Sequence, residues 1–236
     1  MQFWKDVPGI MTADPKLTTL ATPISSISYD EIIEATLLGA KILHPEAIAP
    51  LFGENGKKVV IKNINAPRAD GTVIVKNSTN KTAYGVTMLT VERDLGIFLI
   101  HDSVKSVEHL APKVYLALRQ ANVEFATVTQ GFSDQNATII TRKNNFEKAR
   151  KVIDQITGSK LTIVRPVAQI SVIGSNMRGK PGIAGRFFTA LGKAGVNIIN
   201  IQQGSSERSM AATINKEDVD KAVAAVHDAF DLTKPQ

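Results

Sequence analysis

Cysteine is missing from this chain of 236 residues, which excludes disulfides, thiolate metal sites and cysteine nucleophiles. Long apolar runs are missing too: no stretch reaches the roughly 18 residues that a membrane-spanning helix needs, so we expect no membrane partner. The opening residues MQFWKDVPGI lack a basic segment followed by an apolar core, which is the pattern of a secretory signal. We therefore expect a cytoplasmic protein whose length allows about two or three small domains.

Clustered positive charge is a third absence. The formal net charge is +6, but the lysines and arginines lie beside acids in segments such as NNFEKARKVIDQI and NKEDVDKAVAAVHDAF. Such mixed charge is typical of the solvated face of an amphipathic helix, so we expect no nucleic-acid partner. The four histidines share no spacing of metal ligands, and we predict no metal site.

The sequence contains an internal repeat. When the chain is aligned with itself at an offset of 73 positions, ANVEFATVTQGFSDQ lies on AGVNIINIQQGSSER, and Gln130 lies on Gln203. The register holds without a gap from about residue 97 to about residue 157. Chance seldom preserves register over such a length, so we infer a duplication.

Each copy predicts the element order strand, helix, strand, strand, helix. In the second copy the strand AQISVIGS precedes a helix whose apolar residues recur at helical spacing, namely Ile183, Phe187, Leu191 and Ala194. The strands IINIQQ and SMAATIN precede the last helix. One more strand would complete a four-stranded antiparallel sheet that carries two helices on one face. The first copy has that strand in KLTIVRP, whereas the second ends in the short polar segment DLTKPQ.

The strand GVTMLTVER, residues 85–93, has no role in the first copy. We therefore predict that Val86–Glu92 completes the sheet of the second copy and that the first copy is an insertion within it. The predicted domains are a leading segment of residues 1–82, a first repeat domain of residues 94–166, and a second repeat domain of residues 83–93 with 167–236.

Segments in and around the repeat carry a family resemblance. PGIAGRFFTALGKAGVNIINIQQGSSE resembles the ACT regulatory domains of aspartate kinases, most of all those of the bifunctional aspartate kinase–homoserine dehydrogenases. WKDVPGIMTADPK, SYDEIIEATLLGAKILHPEAIAP and VVIKNINAPRADGTVI resemble the nucleotide loop, the following helix and the last kinase strand of that family. The resemblance implies an α/β (α+β) fold: tandem ferredoxin-like βαββαβ ACT domains with antiparallel four-stranded sheets, preceded by the C-terminal piece of an α/β amino-acid-kinase domain.

The resemblance also implies an activity that this chain does not hold alone. Family members phosphorylate the side-chain carboxylate of aspartate with ATP and Mg, and they begin with a glycine-rich segment, K-F-G-G-[TS]-S, that has no counterpart here. We expect a fragment or a regulatory subunit that is inactive alone, binds no cofactor alone and has no catalytic residue of its own. By resemblance, the nucleotide would lie near Asp6, Met11, Lys16, Lys41 and Ile42, although Met11 and Lys16 stand where a tyrosine and an arginine are usual.

Without the family, these kinase-like residues have plainer interpretations. Asp6 would be a turn residue before Pro8, and Lys41 would lie at a solvated helix end. Ser28, with Glu31 three residues later, predicts a helix N-cap and a capping box, which is a structural role.

The second copy contains a candidate seat for a small anion. In SNMRGKPGIAG a glycine-bearing loop leads into a helix, and we predict Pro181 at the first helical position, where its missing N–H costs nothing. The unpaired N–H groups of a first helical turn favour an anion such as the carboxylate of a free amino acid. The neighbouring strand would offer backbone groups near Asn197 and an amide at Gln203.

The predicted effector-binding residues lie in both copies. They are Gln130, Met177, Gly179, Pro181, Gly182, Ile183, Ala184, Asn197, Ile199 and Gln203. The alternative interpretation of the loop is that Gly179, Gly182 and Gly185 only allow close contact between helix and sheet. The corresponding segment of the first copy, HDSVKSVEHLAP, has no glycine and carries Asp102 and Glu108, which oppose a carboxylate.

The identity of the effector follows only from the resemblance. In threonine-sensitive relatives the glutamine at the place of Gln130 contacts the effector, and lysine-sensitive relatives carry an acid in the strand where Phe125–Thr127 supplies none. The resemblance therefore favours threonine, with lysine as the alternative. ACT tandems pair through sheet edges, so we expect a homodimer. Two rival hypotheses stay open: a kinase completed in trans by an N-terminal kinase chain, and a dimerisation module that binds no effector.

Overall fold

The computed structural model describes residues 1–42, 59–77, 82–101, 110–130, 136–157 and 161–234, and no helix in these ranges is long and apolar enough to cross a membrane. The strands are β1 Gln2–Lys5, β2 Ser26–Ser28, β3 Val59–Asn63, β4 Thr72–Val75, β5 Met88–His101, β6 Phe125–Gln130, β7 Asn136–Arg142, β8 Leu161–Ile173, β9 Ile198–Gln203 and β10 Ser209–Asn215. The helices are α1 Tyr29–Leu37, α2 Leu110–Gln120, α3 Phe146–Thr157, α4 Ile183–Lys193 and α5 Val219–Ala229.

The chain forms two compact units. The first comprises Met1–Glu92 with Gln169–Gln236, and the second comprises Arg93–Ala168. The strands β5 and β8 each contribute residues to both units. The predicted domain borders remain predictions, and the structure adds that the leading segment and most of the second repeat belong to one compact unit.

In the first unit, the leading segment forms a mixed sheet with the strand order β1-β3-β4-β2. The pairs β1–β3 and β2–β4 are parallel, whereas β3 and β4 are antiparallel. Alternate β-branched residues of these strands point into a core that also holds the inner face of α1, which is what stabilises short strands. This core includes Ile27, Ile32, Val59, Ile61 and Ile74.

Helix α1 has residues suited to both of its ends. The Ser28 hydroxyl accepts the Glu31 N–H at 3.2 Å, and the Ser28 N–H donates to Glu31 Oε2 at 2.8 Å, so the predicted capping box is confirmed. Beyond the C-cap Leu38, Gly39 has a left-handed φ of +96°. A Cβ at Gly39 would also lie only 2.8 Å from the Cβ of Glu92, so glycine is needed where the helix ends.

Also in the first unit, the second repeat has the strand order β5-β8-β10-β9. β9 and β10 form an antiparallel hairpin with Gln203 opposite Met210. At the end of β8, the Gly174 N–H donates to the Arg208 carbonyl at 2.9 Å, and the Thr87 N–H donates to the Ile173 carbonyl at 2.7 Å. Helices α4 and α5 pack together and bury Ile183, Phe187, Leu191, Val219, Val223 and Val226.

The second unit contains the first repeat, with the strand order β6-β7-β5-β8. Both β5 and β6 are antiparallel to β7, and Leu95–His101 of β5 lie opposite Asn136–Arg142. Helices α2 and α3 contribute to a core in which the rings of Phe98 and Phe146 stack with centroids 4.6 Å apart. The first repeat therefore follows the element order of the second.

Candidate functional site

The first wall of the candidate site is the loop between β8 and α4, residues 174–182. Gly179 and Gly182 have left-handed backbone conformations, with φ of +66° and +88°. A Cβ placed at either glycine, or at Gly185, meets no atom within 4 Å. Close contact between helix and sheet is therefore not the reason for these glycines, and the alternative interpretation is wrong. At Gly179 and Gly182 the backbone conformation itself favours glycine.

The start of α4 differs from the prediction. The helix begins at Ile183 with Gly182 as its N-cap, so the prediction that Pro181 is the first helical residue is wrong. The left-handed φ of Gly182 interrupts the helical path, and Pro181 lies in the preceding turn. Within the described part of the chain no side chain caps α4. Such an uncapped first turn favours an anion.

The second wall is the end of β9 with the turn to β10, residues 203–209. Gln203 is exposed at the strand end, and the turn closes through the Glu207 N–H, which donates to the Gly204 carbonyl at 3.0 Å. Glu207 itself has a left-handed φ of +53°. Its Oε2 accepts the Gly179 N–H at 2.7 Å. The two walls are thus in contact, and one loop N–H already binds a carboxylate.

Two of the basic side chains beside the candidate site, Lys180 and Arg186, are bound to neighbouring chain segments. Lys180 Nζ donates to the Ala83 carbonyl at 3.2 Å. The guanidinium of Arg186 lies 3.7 Å from the centroid of the Tyr84 ring, and its Nη1 donates to the Ala229 carbonyl at 3.0 Å. Lys180 and Arg186 therefore hold the loop and the first turn of α4 against neighbouring chain segments.

The other predicted residues of the second repeat differ in exposure. Met177 and Ile183 are buried, Ala184 and Ile199 are half-buried, and Asn197 is exposed just before β9. Met177 and Ile183 therefore have mainly backbone groups to offer to a ligand.

The first repeat shows a related arrangement in the second unit. Gln130 is the last residue of β6, and its Oε1 accepts the Ala111 N–H at the start of α2 at 3.3 Å. A strand-end side chain reaches a helix start here, whereas in the second repeat a turn side chain reaches a loop N–H. The acidic pair Asp102 and Glu108 lies outside the described residues.

The predicted nucleotide residues are only partly brought together. Lys5 Nζ donates to the carbonyls of Lys41, at 3.3 Å, and Ile42. Because Asp6 follows Lys5 directly, Asp6, Lys41 and Ile42 share one edge of the kinase-like sheet. Lys5 was not among the predicted nucleotide residues, because its partners lie 36 and 37 residues away in the chain.

The other two nucleotide candidates lie on the loop after β1. Met11 forms a bridge to Pro23, and Lys16 is exposed with its N–H bonded to Asp14 Oδ1 at 2.9 Å. Within the described ranges no hydrogen bond joins Met11 or Lys16 to Lys41 or Ile42. Within the same ranges no cluster of His, Asp or Glu side chains is placed to hold a metal ion.

A buried histidine lies beside this loop. His227 of α5 is 1% exposed, and its Nε2 lies 3.2 Å from the hydroxyl of Thr12. No hydrogen-bond partner is found for its Nδ1 among the described residues. Burial lowers the pKa of His227 below its ordinary value, and the charge of Asp228 opposes this shift more weakly. The ring is therefore held neutral in the native protein near neutral pH.

Comparison with known proteins places this geometry in context. The amino acid kinase family matches residues 1–63, and the ACT domain matches residues 170–230. A bifunctional aspartokinase/homoserine dehydrogenase of Haemophilus influenzae is 32% identical over 240 residues, which cover 97% of this chain and 29% of that protein.

Solved structures agree with these matches. Clostridium acetobutylicum aspartate kinase superposes with a TM-score of 0.83 at 30% identity, over 97% of this chain and 54% of that chain. Escherichia coli aspartokinase III in complex with lysine and aspartate gives a TM-score of 0.77 at 22% identity, over 97% of this chain and 51% of that chain. The E. coli likeness shows the shared fold.

The fold and the matched segments define the class: the end of an amino-acid-kinase domain joined to tandem ACT regulatory domains. The predicted resemblance to aspartate kinases and the predicted fold class are confirmed. It spans less than a third of the Haemophilus protein and about half of the Clostridium chain. The activity and the ligands of those whole proteins therefore enter only as proposals.

Proposed function

We propose that the chain is the regulatory portion of an aspartate kinase and that it binds a free amino acid, threonine in preference to lysine. The reaction under this control would be the phosphorylation of aspartate to 4-phospho-L-aspartate with ATP and Mg. One observation carries the proposal. In the first repeat the Ala111 N–H at the start of α2 donates to Gln130 at the end of β6, and in the second repeat the Gly179 N–H of the loop before α4 donates to Glu207 in the turn after β9.

The chemistry of a free amino acid suits such a seat. Its carboxylate would accept from the uncapped amides of a helix start, and its ammonium group would lie near strand carbonyls or a carboxylate. A glutamine at the strand end can both donate to and accept from a hydroxyl, which supports threonine. The carboxylate of Glu207 keeps lysine as the alternative, because it would attract an ammonium group in the second repeat.

We also propose that the chain forms a homodimer through the second repeat. β9 is the edge strand of its sheet, and Ile201 on this strand is 51% exposed. An unpaired strand edge with an exposed apolar side chain is a surface that proteins usually cover.

A second candidate function is favoured by the contact of Lys5 with the carbonyls of Lys41 and Ile42. This contact supports a preformed part of a nucleotide edge, which a separate N-terminal kinase chain would complete so that ATP and Mg bind. The test is to mix the protein with a chain that carries the family's glycine-rich lysine segment and to assay aspartyl phosphate. Absence of product in the mixture would exclude this candidate.

Calorimetric titration with threonine and with lysine tests the main proposal. We expect saturable heat with threonine and weaker binding of lysine. Gln203→Ala and Gln130→Ala are each expected to weaken threonine binding by about tenfold if their own repeat binds it, since each removes a hydrogen bond to the ligand. Gln120→Ala, at an exposed helical glutamine, is the matched control. No heat with either amino acid would contradict the proposal.

A further inference from the structure

Three acids on the first turns of α1 contact both walls of the candidate site. We propose that this acidic face, formed by Asp30, Glu31 and Glu34, positions the two walls and couples them to Lys41 and Ile42. The coupling half of this inference rests on the function proposed above. All of these residues belong to the first compact unit.

Glu31 holds the first wall from inside the unit. It is fully buried, and each of its carboxylate oxygens accepts two hydrogen bonds. Oε2 accepts the Ser28 N–H at 2.8 Å and the Ser28 hydroxyl at 2.7 Å. Oε1 accepts the Thr87 hydroxyl and the Ser175 N–H, both at 2.8 Å. An ionised carboxylate is an acceptor only, so four donors match its capacity. The same side chain thus caps α1 and fixes the start of the 174–182 loop.

Glu34 and Asp30 hold the second wall. Glu34 Oε1 accepts the Ser206 hydroxyl at 3.2 Å, and Glu34 Oε2 accepts the Ser209 hydroxyl at 2.8 Å. Arg208 Nη2 lies 2.8 Å from Asp30 Oδ2, with both side chains partly exposed. An exposed ion pair of this kind is weak, so Glu34 is the stronger contact. Each residue of the 206–209 turn except Glu207 therefore has a contact with α1, and Glu207 contacts the opposite wall.

The far end of α1 leads to the candidate nucleotide residues. A nine-residue helix is about 13 Å long and moves as a rigid element. Lys41 and Ile42 follow its end after Gly39, and Lys5 holds their carbonyls. A ligand that changes the spacing of the two walls therefore shifts the first turns of α1, and the helix transmits the shift to Lys41 and Ile42. By linkage, a change in α1 alters the affinity of the walls for the ligand.

Glutamine at position 31 cannot reproduce the contacts of Glu31. Both carboxylate oxygens accept a backbone N–H, from Ser28 on one side and from Ser175 on the other. Whichever oxygen the amide NH₂ replaces, it then faces a backbone donor that cannot rotate away. Glu31→Gln therefore breaks either the link to the loop or the cap of the helical turn to which the loop is linked, with almost no change in side-chain volume. The loop is expected to loosen in both cases.

Hydrogen–deuterium exchange of the whole chain tests the positioning half. We expect Glu31→Gln to speed exchange of residues 175–182 by about tenfold, with residues 187–193 of α4 unchanged. Glu34→Ala, at a half-buried position where folding is less at risk, is expected to do the same for residues 204–209. Glu217→Gln, at an exposed glutamate of the same unit, is the control. Unchanged walls, or an equal increase throughout the first unit, would overturn the inference.

Threonine titration separates this inference from the proposed function. Neither Glu31 nor Glu34 lies at the predicted effector site, yet we expect both variants to change the affinity for threonine by about tenfold. In the unmodified protein, we expect added threonine to alter the exchange of residues 39–42. If the unmodified protein binds threonine but neither effect occurs, the coupling is wrong and the proposed function stands. If the unmodified protein binds neither threonine nor lysine, both the proposed function and the coupling are wrong. The positioning role is then tested only by the hydrogen–deuterium exchange of the two walls in the variants.

Discussion

At the scale of the residue, the carboxylates of Glu207 and Glu34 make hydrogen bonds at the candidate site, although the sequence analysis emphasised the glutamines Gln130 and Gln203. The carboxylate of Glu207 accepts a hydrogen bond from the Gly179 N–H. The backbone of Glu207 is left-handed, a conformation that costs a non-glycine residue roughly 1 kcal/mol. The turn tolerates this conformation because residues on both sides of Glu207 are held, Ser206 and Ser209 by Glu34. Glu207 is therefore expected to compete with the carboxylate of a ligand in the second repeat.

Removing this competitor has a predictable effect. We expect Glu207→Ala to raise the affinity for threonine in the second repeat by about threefold or more, because a negative charge leaves the seat and the Gly179 N–H is released. Ser205→Ala, at an exposed neighbour in the same turn, is the control. Calorimetric titration measures both, and an unchanged or lower affinity of the Glu207 variant would show that its carboxylate does not compete.

His227 predicts a pH dependence of stability. Because burial lowers its native pKa below 6.5, the unfolded chain takes up a proton at higher pH than the native chain does. The stability that the neutral ring contributes is thus fully present above about pH 6.5 and is lost as the pH falls through the lower native pKa. We expect the free energy of unfolding to fall between about pH 7.5 and about pH 5.5, and to fall less in His227→Gln.

Urea denaturation at the two pH values measures this difference. A decrease of the same size in the unmodified protein and in His227→Gln would show that another group is responsible. The contact of His227 with Thr12 makes the loop beside Met11 the region expected to loosen first at low pH.

At the scale of the element, the start of α4 is set by backbone conformation. Gly182→Ala is expected to lower the free energy of unfolding by about 1–2 kcal/mol, because alanine resists the left-handed φ. Gly192→Ala, inside the same helix, is expected to raise it by about 0.5–1 kcal/mol. A Cβ meets no atom within 4 Å at either position, so space does not decide the sign. Thermal denaturation of both variants checks the opposite signs, and a shared sign would contradict this account.

The elements also show how far the sequence alone can lead. Local patterns predicted the capping box of Ser28 and the buried stripe of Ile183, Phe187 and Leu191, because both depend on neighbours within a few residues. The start of α4 was predicted two residues too early, since proline suits a first helical turn and nothing in the sequence reveals that Gly182 is left-handed. The second role of Glu31 could not be predicted, because its partner Ser175 is 144 residues away in the chain.

At the scale of the whole molecule, duplication supplies two versions of one arrangement. In the first repeat the amide of Gln130 at a strand end accepts from a helix start, whereas in the second repeat the carboxylate of Glu207 in a turn accepts from the loop before a helix. The repeat was visible from the offset of 73 positions between Gln130 and Gln203. Which copy would bind a ligand more tightly could not be predicted, because Glu207 lies outside the predicted site residues and reaches Gly179 only through the fold of the turn.

Glycine amide chemical shifts test the central claim, a seat for a free amino acid between helix start and strand end, most directly. In ¹⁵N-glycine-labelled protein, added threonine should shift the amide signals of Gly179 and Gly182 in a saturable manner, while Gly71 and Gly192, which lie outside the seat, should not move. If no glycine signal of the loop moves at a threonine concentration that saturates calorimetric binding, the seat in the second repeat is contradicted.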